Sequence, residues 1–170
     1  MSRAFTKEDD GSVELLVVPR APLPFGVANY VTPRGLRQLQ GAHAALEQER
    51  VALEAADPSD RVARLKALAQ RALDLQARLA SAELVDPRSQ PHDCVRFGAQ
   101  VRVRHESGEE SQYRIVGVDE ADAGSGLLAF TAPIARALLG KRVGEVAQIQ
   151  TPRSNEELEV LEIGYEGGDL

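Results

Sequence analysis

Three carboxylates, Glu54, Asp57 and Asp60, stand three residues apart around a Pro-containing break, Asp57-Pro58-Ser59-Asp60. Carboxylates grouped in this way can hold Mg²⁺ through one or two oxygens, above all where another macromolecule completes the coordination. The same residue types at an interhelix turn also serve as helix caps and dipole partners, and Asp57 before Pro58 suits a cap well. The capping or solvated reading outweighs the metal reading. No other grouping of side chains has metal-ligand spacing. His43, His92 and His105 are far apart, and the single cysteine, Cys94, excludes both an internal disulfide and a Cys-rich zinc site. No Ser-His-Asp or Cys-His arrangement stands out in the sequence, and Gly124-Ser125-Gly126 reads as a flexible turn. By this count the chain is a binding protein, not an enzyme, with no catalytic residues and no cofactor.

Asp119-Glu120-Ala121-Asp122 spells a tetrapeptide known from RNA helicases. A helicase also needs a Gly-rich phosphate loop ending in Gly-Lys-Ser/Thr. Gly140-Lys141 is followed by Arg142 and has no upstream glycine in register. The tetrapeptide therefore reads as an acidic turn between strands.

The elements that must carry these residues follow from periodicity. Thr32-Pro33 is a helix start, with Thr as N-cap and Pro at the first helical position. Leu36, Leu39, Leu46 and Leu53 then form one apolar stripe, interrupted on its seam by His43 and Arg50. The stripe ends near Ala56. A second helix is expected from about Ser59 to Glu83, where Leu65, Leu68, Ala72, Leu75, Leu79 and Ala82 recur in steps of three and four. A tight turn between two such helices makes them antiparallel neighbours. The expectation is a projecting helical hairpin over residues 30–86, about 35 Å long at 1.5 Å per residue. Its tip carries Glu54, Asp57 and Asp60.

Ahead of the hairpin, residues 1–29 read as an extended or disordered leader, with Pro19, Pro22 and Pro24 and a short apolar run, Val13–Val18, that could form an edge strand. Behind it, residues 87–94 read as a polar linker. From Val95 the period changes to two, as in Val101 and Val103 alternating with Arg102 and Arg104. Strands around Tyr113–Val118, Leu127–Phe130, Val146–Ile149 and Leu158–Ile163, with a short helix near Pro133–Leu139, make residues 95–165 an α+β unit: a small antiparallel sheet with one helix. Residues 166–170 are a tail.

Composition limits the partners. The 170 residues hold 20 basic and 26 acidic side chains, a net charge of -6. That balance argues against simple binding to a nucleic-acid backbone, which needs a basic footprint. It suits a basic protein surface. No stretch reaches the apolar length of a membrane span, and Lys7, Glu8, Asp9 and Asp10 occupy the place of a signal peptide's apolar region. A cytoplasmic protein is expected.

Several separate segments then agree in order and spacing: Phe97-Gly98-Ala99; Tyr113-Arg114-Ile115-Val116-Gly117-Val118-Asp119-Glu120-Ala121-Asp122; Ala132-Pro133-Ile134-Ala135-Arg136-Ala137-Leu138-Leu139-Gly140-Lys141; Val143-Gly144-Glu145; and Thr151-Pro152. Together these resemble the C-terminal domain of the GreA/GreB family of bacterial transcript-cleavage factors, over about Val95–Tyr165. Ser2–Asp9 is similar to the start of some GreB-like proteins, and Tyr30–Leu36 to the family's first-helix entry. The resemblance implies an FKBP-like C-terminal fold and docking on RNA polymerase at the mouth of its secondary channel, with DNA and RNA met only indirectly, through the elongation complex. A monomer is expected. The family docks through the loop before its short helix, which corresponds here to Thr131, Ala132, Pro133 and Ile134. Ala132 stands where the family often has Ser, and Thr131 where GreB-type proteins can have Asp.

The family's acidic tip sequence has no counterpart in this chain. The hairpin is roughly two heptads shorter in total, which costs each arm about 10 Å of reach. The first expectation is therefore an elongation regulator without efficient transcript cleavage. The alternative is a cleavage-stimulating factor that brings Mg²⁺ to the polymerase on its tip carboxylates. An FKBP-like isomerase or chaperone ranks last, because aromatics are too few, at 4%, for an apolar proline pocket.

Overall fold

The computed structural model describes residues 23–55, 61–150 and 155–165. The leader run Val13–Val18, the tip residues Asp57 and Asp60, Thr151-Pro152 and the tail 166–170 lie outside them. Helix α1 (Pro33–Glu54) starts as its sequence dictates. The Thr32 hydroxyl accepts from the Gly35 N–H at 2.9 Å, and Pro33 occupies the first turn. Helix α2 (Arg61–Ala80) runs back along it. Leu39, Leu46, Leu68 and Leu75 are buried between the two, flanked by Leu36, Leu53, Ala72 and Leu79. Each such leucine contributes about 2 kcal/mol by leaving water.

The second helix stops earlier than its apolar repeat suggests. Ala82–Leu84 is a strand, β2, paired in parallel with β1 (Asn29–Val31). Two three-residue strands are too short to show a period. Their pairing depends on the hairpin having brought chain positions 29 and 82 together. Asn29, buried at 3% exposure, holds the junction by donating to the Arg78 carbonyl at 2.9 Å and the Ser81 hydroxyl at 3.1 Å.

The following segment is packed onto the sheet unit. Pro87 is buried, the Gln90 amide donates to the Phe97 carbonyl at 2.7 Å, and the His92 ring stacks on Tyr165 with centroids 4.3 Å apart. The sheet itself has five strands in the order β5-β4-β3-β7-β6: β3 (Gln100–His105), β4 (Glu110–Val116), β5 (Leu127–Ala129), β6 (Val146–Gln150) and β7 (Asn155–Gly164). The α+β class holds, but the sheet is mixed. β5 runs parallel to β4, because the chain between them loops back through a 3₁₀ turn at Ala123–Ser125 where a two-residue hairpin would have reversed it.

One face of the sheet is buried by Val101, Val103, Ile115, Ala147, Ile149, Leu158 and Val160. Ala135 and Leu138 of α3 (Pro133–Leu138) join them. The other face carries charges that pair across strands: Arg102 with Glu110 at 3.2 Å and Glu162 at 2.9 Å, and Arg104 with Glu159 at 3.2 Å. These exposed pairs contribute little each. They fix the register, because a slip of one residue would turn arginines into the core.

Candidate functional site

The chain between β5 and α3 presents the candidate docking surface. Ala132 occupies the N-cap of α3 with an extended backbone, φ -66° and ψ 147°, and its side chain makes no cap hydrogen bond. Pro133 is exposed. Thr131, Ala132 and Ile134 are half-buried, and Ile134 packs against the sheet core. Of the four residues expected at this surface, Pro133 is the one that projects. A serine at 132 would supply the missing cap. We expect Ala132→Ser to raise stability by about 1 kcal/mol, read as a higher denaturation midpoint at unchanged denaturant sensitivity. An unchanged midpoint would mean that water already satisfies this helix end.

At the hairpin tip Glu54 has less freedom than its place in the sequence suggests. Glu54 accepts from the Arg50 guanidinium at 2.6 Å, and the Glu54 carbonyl accepts from Arg61 at 3.3 Å. A cation approaching Glu54 would compete with Arg50. Asp57 and Asp60 lie outside the described residues. Among the described residues no three of His, Cys, Asp and Glu come together as a metal site, and no helix is long and apolar enough to cross a membrane.

Two constellations were not legible in the sequence. The first lies at one end of the sheet's core-facing side, where Ser111 stands opposite Val103 and Glu156 opposite Ile149. His105 Nδ1 lies 2.5 Å from Glu156 Oε1, and its Nε2 lies 2.9 Å from the Ser111 hydroxyl. Ser, His and Glu in this order resemble a hydrolase triad. The Glu156 side chain, however, is 41% exposed, whereas the acid of such a triad is buried behind its histidine. The grouping ties β3 to β4 and β7, strands whose partners only the fold reveals.

The second constellation is the acidic tetrapeptide. It is a turn between strands, as its composition suggests, but it is also the joint between hairpin and sheet. Asp122 caps the 3₁₀ turn. It accepts from the Ser125 hydroxyl at 2.6 Å and the Gly124 N–H at 3.1 Å, and the Ser125 contact foremost holds its carboxyl below the usual carboxylate range. Asp119 and Glu120 point the other way. Asp119 Oδ2 lies 3.6 Å from Arg78 Nε near the end of α2, with both side chains about one-tenth exposed. Glu120, 7% exposed, accepts from the Thr32 hydroxyl at 2.5 Å and lies 3.9 Å from Arg34 at the start of α1. Beside this contact Tyr30 packs on Phe97 and Phe130, ring centroids 5.8 and 5.6 Å away. Three of the chain's seven aromatics thus gather where the two parts meet.

A profile of the family described as transcription elongation factor, GreA/GreB, C-terminal, matches residues 90–165. A transcription elongation factor GreA from Psychrobacter arcticus is 41% identical over 98 residues, covering 56% of this chain and 62% of that protein. The GreA of Thermodesulfovibrio yellowstonii is 40% identical over 97 residues, covering 56% and 61%. The chain thus matches about three-fifths of the length of these relatives. Among solved structures, a prokaryotic elongation factor GreA/GreB from Nitrosomonas europaea is 25% identical, covering 82% of this chain and 99% of that one, with a TM-score of 0.40. That superposition is too loose to argue from.

The relatives correct one expectation. The sequence reading is of a chain that is not an enzyme, yet the proteins it matches are named transcription elongation factor GreA, members of the transcript-cleavage family named above. Such a factor stimulates a reaction of the polymerase without being a free-standing enzyme. Residues 90–165, in which the turn before α3, the short helix and the acidic joint all fall, thus match the C-terminal domain of the GreA/GreB transcription elongation factor family.

Proposed function

We propose that this protein regulates transcription elongation as a monomer in the cytoplasm, docking on RNA polymerase at the rim of the secondary channel. The surface at Thr131–Ile134 makes the contact, and the helical hairpin projects from it. The observation that carries the reading is the family match over residues 90–165. The exposed Pro133 at the head of α3 supports it. The direct test is co-precipitation of the full chain with core RNA polymerase at low salt. Association is expected, and none would remove the reading.

A second reading is favoured by the GreA names of the relatives: stimulation of RNA cleavage, with Glu54, Asp57 and Asp60 delivering Mg²⁺ at the polymerase active centre. Backtracked elongation complexes decide it. Mg²⁺-dependent release of short 3′ RNA fragments that disappears in Asp57→Ala, Asp60→Ala would establish the tip as the active part. Fragment release unaffected by that double change would assign the effect elsewhere.

Two folding units also belong to the proposal, divided within residues 87–94. The hairpin buries one seam, whereas the sheet and α3 enclose a separate core. A fragment starting at Pro91 is expected to melt in one cooperative transition. A non-cooperative melt would show that the sheet unit needs Pro87 and the hairpin base.

A further inference from the structure

Helix α1 begins with Thr32-Pro33-Arg34-Gly35. In a capping box, the residue three positions after the N-cap Ser or Thr is Glu or Gln, whose side chain folds back on the helix start. Here that position is Gly35. The vacated space is filled from the other half of the molecule. A Cβ on Gly35 would lie 2.7 Å from Glu120 Oε2 and 3.4 Å from the Glu120 carboxyl carbon. The Gly35 N–H donates to the Thr32 hydroxyl, which donates onward to Glu120. The helix thus receives, from the turn after β4, the carboxylate that its own first turn lacks.

The neighbouring residue engages the other helix. Asp119 faces Arg78, in the last turn of α2, so consecutive carboxylates hold the start of one arm and the end of its partner. The fit is close. A Cβ on Gly117 would lie 2.6 Å from the Tyr30 carbonyl, so the turn lies directly against β1. We propose that Glu120 is a positioning residue that sets the direction of the helical arm relative to the sheet domain. It acts as a capping group supplied in trans to α1, with Asp119 and Arg78 as the second point of the clamp. Two separated points fix an angle where one would leave a pivot. The leverage is large: α1 has 22 residues and is about 33 Å long, so a 10° swing at its base moves the tip by about 6 Å. The functional consequence, that the arm is presented at one angle when the sheet domain docks, rests on the polymerase-binding reading. The structural role does not.

The test uses the full chain with Cys94→Ser and nitroxide labels on Val51→Cys, near the tip, and Gln148→Cys, on the exposed face of β6. Pulsed electron paramagnetic resonance reads the distance between them. The parent should give one narrow distribution. Glu120→Ala should broaden it about twofold or shift its centre by about 5 Å, the size of a small hinge rotation over this arm. Thr32→Val should act in the same direction, because it removes the hydroxyl, and Thr32→Ser should restore the parent distribution. Circular dichroism confirms that each variant is folded. If Glu120→Ala loses the fold, Thr32→Val alone decides. Parent-like distributions in the folded variants would overturn the proposal and leave polymerase binding untouched. Failure of the parent to bind polymerase would remove the functional reading and leave the distance result standing.

Discussion

Replacing Gly98 with Ala should lower stability by about 3 kcal/mol, which for a chain of this size corresponds to a melting temperature lower by roughly 10 °C. Two effects add. Gly98 has φ +82°, where an L side chain is strained by its own backbone. A Cβ there would also lie 2.3 Å from Cγ and 2.8 Å from Cβ of Pro87. Pro87 is buried, and its ring cannot rotate out of the way as a flexible side chain would. The contact would break at a structural junction. The Gly98 N–H donates to the Ile115 carbonyl at 2.7 Å, and the Ile115 N–H to the Ala99 carbonyl at 2.9 Å. Gly108 provides the control. Its φ is +85°, but nothing lies within 4 Å of an added Cβ, so Gly108→Ala should cost only about 1 kcal/mol. Equal losses at the two positions, measured by thermal or denaturant unfolding, would show that Pro87 yields and that the strain alone matters.

The second large effect concerns binding. Pro133→Glu should weaken association with RNA polymerase at least tenfold, about 1.4 kcal/mol or more, by placing an unpaired charge inside the proposed interface. The substitution suits the free protein. An acidic residue in the first turn of α3 is favoured by the helix dipole, and the exposed ring of Pro133 leaves no cavity behind. The melting temperature should therefore change little. Ile134 is the wrong residue for this test, because it packs on the sheet core and a charge there would disturb the fold first. A titration showing parent-like affinity for Pro133→Glu, with the fold intact, would move the docking surface away from this turn.

Together these changes separate two uses of the same family segments. Phe97-Gly98-Ala99 serves the packing of Pro87 onto the sheet. Ala132-Pro133 opens a helix whose exposed corner is free for a partner. The uncapped N-terminus of α3 keeps the corner simple at some cost in stability.

What the sequence determined by itself was whatever a local period or a local cap encodes. The leucine spacing of α1 and α2 and the Thr32-Pro33 start defined the hairpin, because a helix face repeats within a few residues. The alternation Val101-Arg102-Val103-Arg104 defined a half-buried strand for the same reason. The order of the C-terminal segments pointed to the family, and so to the turn proposed for docking. Only the tertiary structure decided the rest. The β1–β2 pair joins residues far apart in the chain through backbone groups, which carry no side-chain signature. The parallel β5 depends on a loop path, and the His105–Ser111–Glu156 contact on which strands are neighbours. The joint is the clearest case. Gly35 stands three residues after the N-cap, where a capping-box glutamate would sit. Nothing local says that Glu120, 88 positions from Thr32, fills it, because a cap supplied in trans exists only once the chain has folded.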